Sequence, residues 1–172
     1  MGKILILLSL FASGCKMNHN DGIRSHVSII ESIDPASIKA DQGLFFHAKI
    51  DLINETDSIL NFWTMSCSWQ ENWIFEDQKL RFFIYCPKNT PKLLHLKPGN
   101  RITYDGIIEI VDTVNCNLRK KYRLGFVLIM KGEVNKDADF DRVLYDKIDT
   151  KKDIIWSEPF VFNKRSATGS LL

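Results

Sequence analysis

The sequence predicts an all-β fold, an antiparallel sandwich of about eight or nine strands. Apolar and polar residues alternate with period two in segment after segment, most clearly from Leu44 to Ile53. There Leu44, Phe46, Ala48, Ile50 and Leu52 interleave with His47, Lys49 and Asp51. Turn-forming clusters such as Asn54-Glu55-Thr56-Asp57 and Lys97-Pro98-Gly99-Asn100 separate the segments. Past residue 15 no segment carries a sustained 3.6-residue period with caps, so no long helix is expected.

Taken in order, a first strand starts at Val27, with Val27, Ile29 and Ile33 on one side, and Asp34-Pro35 ends it. The Leu44 to Ile53 strand follows. Ile59 to Trp69 reads as the next strand, with Ile59, Trp63, Met65, Cys67 and Trp69 expected on its core face. In the run Leu80, Phe82, Ile84 and Cys86, Phe83 and Tyr85 make the second face apolar too, so a strand covered on both sides and stopped by Pro87 is expected. Leu93 to Leu96 is a short strand, and the Pro98-Gly99 pair sits where a type II turn requires it. Arg101 to Val111 sets Ile102, Tyr104, Ile108 and Ile110 against Thr103, Asp105 and Glu109. Tyr122 to Met130 and Phe160 to Phe162 supply two more strands, with Ile154 to Trp156 leading into the last. Asn135 to Asp141 reads as a polar connection.

The N-terminus carries a different signal. Lys3, the apolar run Ile4 to Phe11 and then Ala12-Ser13-Gly14 form a secretory address whose core is too short to span a bilayer. Ending on Cys15, it resembles the lipobox of bacterial lipoproteins, in the looser form that lineages such as the Bacteroidota tolerate, because Ala12 stands where Leu is favoured. The resemblance implies a signal over 1–14, a mature chain beginning at lipidated Cys15 and a membrane anchor. A polar tether over 15–23, one domain over 24–163 and a loose tail over 164–172 complete the expected organisation. Lys16, rather than Asp, after the cysteine favours the outer membrane by that family's sorting rule, with the domain facing the periplasm.

The net charge of +2 supplies no basic field for nucleic acid. With Cys15 given to lipid, Cys67, Cys86 and Cys116 remain, an odd number in a compartment that favours disulfides. Cys67 and Cys86 form either a bridge, worth about 3 kcal/mol, or two buried thiols on core faces. Cys116 is then the odd thiol. The histidines His19, His26, His47 and His95 lack metal-ligand spacing. Asp137, Asp139 and Asp141 begin like a calcium loop, but no Gly or Glu follows where the loop needs them, so a solvated acidic loop is expected. No metal or cofactor is predicted. Neither a phosphate-binding Gly-rich loop nor a Gly-x-Ser-x-Gly elbow occurs, so catalysis has no support in the sequence.

One aromatic concentration stands out, from Phe62 and Trp63 through Trp69, Trp73 and Phe75 to Phe82, Phe83 and Tyr85. Within it Trp69, Gln70, Asn72 and Trp73 could grip a glycan or peptide, or the rings could simply fill one end of the core. From about Leu44 to Leu128 the order of strands and turns, with Leu60-Asn61-Phe62-Trp63 and Leu94-His95-Leu96-Lys97-Pro98-Gly99, is similar to the immunoglobulin-like sandwiches of small bacterial secreted proteins. It also resembles the BsuPI-type proteinase-inhibitor domain. The expectation is a non-enzymatic, lipid-anchored binding protein of the cell envelope, with an envelope protein or glycan as partner. Alternatives are a protease inhibitor acting through an exposed loop such as Asp112 to Lys121 and, third, an envelope hydrolase.

Overall fold

Every residue from Leu124 to Ile129 is buried, which requires protein on both faces of the strand that carries them. The computed structural model describes residues 22–40, 42–83, 86, 89–113 and 117–162. The signal, Cys15 and most of the tether lie outside them, as do Ile84, Tyr85, Pro87, Cys116 and the tail. The described strands are β1 (Ile23–Ile33), β2 (Leu44–Asn54), β3 (Leu60–Met65), β4 (Trp73–Phe75), β5 (Leu80–Phe82), β6 (Pro91–Leu96), β7 (Arg101–Ile110), β8 (Leu124–Val127) and β9 (Ile154–Trp156). A helix, α1 (Phe140–Thr150), precedes β9.

All pairings are antiparallel. One sheet runs β1-β2-β7-β5. The opposing layer consists of β3-β6 and β4-β8-β9, joined by a bridge between Phe62 and Met130 and by the Trp63 N–H donating to Ile129 C=O at 2.8 Å. The fold is therefore the expected all-β sandwich, open at its edges. Just before β8, the Tyr122 hydroxyl donates back to Asn117 C=O at 3.1 Å, a corner that ties the strand's start to the loop before it.

Between the layers lies the main core, with Phe46, Ile50, Leu52, Phe62, Ile108, Ile110, Leu124 and Phe126 essentially without exposure. The alternation of β2 and β7 places Phe46, Ile50, Leu52, Ile108 and Ile110 inward, as the sequence predicts. At the foot of the sandwich, Asn54 fastens two turns. Its Nδ2 donates to Leu96 O at 2.9 Å and Ser58 O at 2.8 Å, and its Oδ1 accepts from Thr56 Oγ1 at 2.6 Å. Its backbone meets the Lys97–Asn100 turn, where Gly99 adopts φ 70°, the left-handed value that a type II turn requires.

Several boundaries and faces differ from expectation. Sheet pairing starts at Ile23, inside the expected tether, and a bulge between Ile29 and Glu31 shifts the register of β1. On β3 it is Leu60 and Phe62 that enter the main core, while Ile59 is 54% exposed. Trp63 and Met65 point to the other face, whose cover buries Met65 and half-buries Trp63. β5 ends at Phe82, and Phe160 makes only an isolated bridge with Tyr122.

The cover is α1, which the sequence reading missed. Its packed residues Phe140, Val143, Leu144 and Ile148 recur at helical spacing, and with Met65, Val127, Ile129 and Val134 they form a second core. Asp137, Asp139 and Asp141 belong to the entry of this helix, with Asp139 facing Arg142 at 3.7 Å, rather than to a free loop. The missing signal has a physical cause. Lys147 occupies the buried stripe, no side chain caps the N-terminus, and the C-cap is Lys151 in the left-handed region instead of Gly.

Lys147 is 4% exposed, and its ammonium donates to Leu128 O at 2.7 Å, Glu133 Oε2 at 2.7 Å and Asp153 Oδ2 at 2.9 Å. All three of its protons are thereby satisfied, so the helix is pinned to the strand by a charge that would otherwise be costly to bury. Replacing Lys147 by Met keeps the stem packing but leaves the Leu128 carbonyl and two partly buried carboxylates without their cation. Urea unfolding is expected to show a loss of about 2 kcal/mol, with Glu133→Gln costing less.

Candidate functional site

The Trp69–Asn72 segment forms a short 3-10 turn between β3 and β4. A disulfide joins Cys67 to Cys86, with Cα atoms 5.9 Å apart, immediately before this turn. Neither cysteine occupies the core position expected of it, since Cys67 is exposed and Cys86 half-buried outside the strands. Beside the bridge, Asn89 Oδ1 accepts from the Cys67 and Ser68 N–H groups at 3.3 Å, and Asn89 Nδ2 bonds Ser68 Oγ. Ser68 in turn donates to Glu71. The turn is thus held by one covalent and several polar links.

What the turn delivers is a plug for the open end of the sandwich. Trp69 stacks on Tyr104 with ring centroids 4.6 Å apart and meets Phe82 edge-on at 5.5 Å. Trp73 is 5% exposed and packs on Phe126 at 4.9 Å. Asn72 is fully buried, accepting from Met65 N–H at 3.4 Å and donating to Trp63 O at 3.2 Å and Val127 O at 3.4 Å. Of the two readings the sequence leaves open for these residues, packing favours the core. Asn72 and Trp73 are internal, and Trp69 spends its stacking face on Tyr104. The aromatic concentration fills a core end, because indole rings bury most area when wedged between two sheets.

Of the four, Gln70 borders two open concavities, and Trp73 borders the first of them. One is a groove of about 590 Å³ between β4, β5 and α1, with Phe75, Leu144 and Ile148 among its walls and Tyr145, 60% exposed, at its rim. The other, about 430 Å³, lies on the outer face of the first sheet beside Phe83 and the His47–Asp105 pair, whose Nε2 and Oδ1 are 3.1 Å apart. His47 and Asp105 have no nucleophile beside them among the lining residues, so the pair reads as a cross-strand contact.

A third concavity, about 480 Å³, follows the seam where β1 and β9 approach. Trp156 lines it, together with Arg24, Ser25, His26, Glu55 and Glu158. Trp156 is seated on Gly125 of the neighbouring strand, where a Cβ would come within 2.9 Å of the indole and 2.5 Å of Ile154 Cγ2. The Arg123 guanidinium lies over the ring at 5.4 Å from its centroid, with Nε donating to Ser157 O at 3.3 Å. Across the cleft, Arg24 and Glu55 form an ion pair at 2.8 Å. The sequence reading passed over Trp156 because it stands alone, outside any aromatic cluster.

A group of three or more His, Cys, Asp or Glu side chains arranged to hold a metal does not occur among the described residues. Among them, too, no helix is long and apolar enough to cross a membrane.

No family model matches the chain. No curated protein matches it either. Among solved structures it is similar to a FixG-related protein from Vibrio parahaemolyticus, at 10% identity over 83% of this chain and 97% of that one, with a TM-score of 0.36, a likeness too distant to carry function.

The Tyr104 hydroxyl is buried with no hydrogen-bond partner among the described residues, and burial pushes its pKa up from 10.0 to about 12. The folded state thus holds this proton where the unfolded chain releases it. Its contribution to stability is complete below pH 10.0 and is lost as pH rises toward about 12. Tyr104→Phe keeps the ring under Trp69 and removes the unsatisfied hydroxyl. Denaturant titrations are expected to show equal or higher stability at neutral pH, by up to about 1 kcal/mol, and a shallower decline above pH 10.0 than wild type.

Proposed function

We propose that this chain is a lipid-anchored, extracytoplasmic protein of a bacterial cell envelope, whose β-sandwich binds another envelope component and catalyses no reaction. The observation that carries the reading is the conjunction of a Cys15-terminated export signal with a disulfide between Cys67 and Cys86. The bridge suits an oxidising compartment, which is where such a signal delivers a protein. Acyl chains on Cys15 supply stable anchoring, at about 0.8 kcal/mol per buried CH2. A polar tether running to Ile23, where β1 begins, then keeps the domain close to its membrane. Lys16 favours the outer membrane with the domain facing the periplasm. Binding is supported by the open concavities beside α1 and along the β1–β9 seam, both walled by aromatic and polar side chains together.

Intact mass and detergent partitioning of the protein from its native envelope, compared with Cys15→Ala, test the anchor. The expected result is a mature chain beginning at Cys15 with a lipid-sized added mass that enters the detergent phase, both lost in the variant. A soluble, unmodified wild-type chain rejects the anchor.

A further inference from the structure

We infer that the seam cleft between β1 and β9 is a binding site for a neutral glycan, with the Trp156 indole as its stacking platform. The inference rests on the binding reading above and gives it a ligand class. Trp156 is half-buried and forms part of the cleft wall. Its position is specified by three neighbours. Gly125 leaves room for the ring where any Cβ would collide with it, Ile154 closes that same space, and the Arg123 guanidinium lies over the indole. With Arg123 over the ring, the indole surface left to the cleft is partial, but it is rigidly held, and a fixed aromatic offers apolar contact to the C–H face of a pyranose at little entropic cost.

The rest of the lining fits hydroxyl groups better than ions. Arg24 can donate, while Glu55 and Glu158 can accept. Sugar hydroxyls do both, so a lining that holds donors and acceptors together can satisfy them. One guanidinium stands against two carboxylates, and the guanidinium is already paired with Glu55 at 2.8 Å, so an anionic ligand finds no net attraction. Ser25 adds an independent sign. It is 4% exposed, and its Oγ has no hydrogen-bond partner among the described residues, an unusual state for a buried hydroxyl beside a cleft. A volume of about 480 Å³ accommodates a short oligosaccharide segment.

The test is a calorimetric titration of the full chain with cellohexaose and with chitohexaose, run on wild type, Trp156→Ala, Trp156→Phe, Arg24→Ala and Cys15→Ala. Saturable binding of at least one hexasaccharide is expected. It should weaken about tenfold or more in Trp156→Ala and about threefold in Arg24→Ala, and Trp156→Phe should recover much of it. Arg24 is well exposed, so Arg24→Ala keeps the test valid if Trp156→Ala fails to fold. No saturation by either sugar up to about 5 mM, or unchanged affinity in both Trp156→Ala and Arg24→Ala, overturns the inference. Saturation by a neutral Gly/Ser hexapeptide and by neither sugar assigns the cleft to peptide and overturns it equally. Cys15→Ala should bind sugar as wild type does. Sugar binding without lipidation faults the anchor alone, and lipidation without sugar binding faults the ligand class alone.

Discussion

Two-sided burial of the chain from Leu124 to Ile129 is the constraint on which the rest of the structure depends. Leu124, Phe126 and Leu128 face the opposing sheet, and Val127 and Ile129 face the other way, so this stretch of the second layer must be roofed on its outer side. α1 is that roof. Because the helix is only eleven residues long, its apolar stripe is short, and Lys147 within that stripe supplies the polar link that fixes its position. Glu133 and Asp153 complete the link from the segments that enter and leave the helix. One strand's composition thus leads to a helix, a buried ion cluster and the groove that opens beside them.

A second consequence concerns where function can lie. In a sandwich whose core is closed at one end by Trp69 and Trp73, the densest aromatic segment is occupied with packing. The disulfide and the Ser68–Asn89–Glu71 bonds hold the plug in place rather than present it. Open concavities are instead formed where elements distant in sequence approach, at the α1 groove and at the β1–β9 seam. Trp156 illustrates the difference. Its indole owes its placement to Gly125 on the adjacent strand and to Arg123 over the ring, so it can offer surface without carrying the core.

Much of the fold was legible in local patterns. Alternation located β2, β7 and β6, and the Lys97–Asn100 turn followed from its Pro and Gly. Patterns misled where both faces of a strand are covered. On β3 the apolar residues Trp63 and Met65 pack into the second core as Leu60 and Phe62 pack into the first, so hydrophobicity alone could not say which set faces the main core. The candidate site was less legible still. The Trp69–Trp73 turn displays the composition of a binding loop and the burial of a core, and only burial distinguishes the two.

The sequence by itself determined the period-two strands and the turns between them, because each depends on residues adjacent along the chain. Tertiary structure decided the phase of β3, the existence of α1 and the place of both cysteines outside the core. It also decided the environment of Trp156. These are set by contacts between segments far apart in sequence, where a lysine can occupy a buried stripe once Leu128, Glu133 and Asp153 surround it, and a glycine matters for the ring that lies on it.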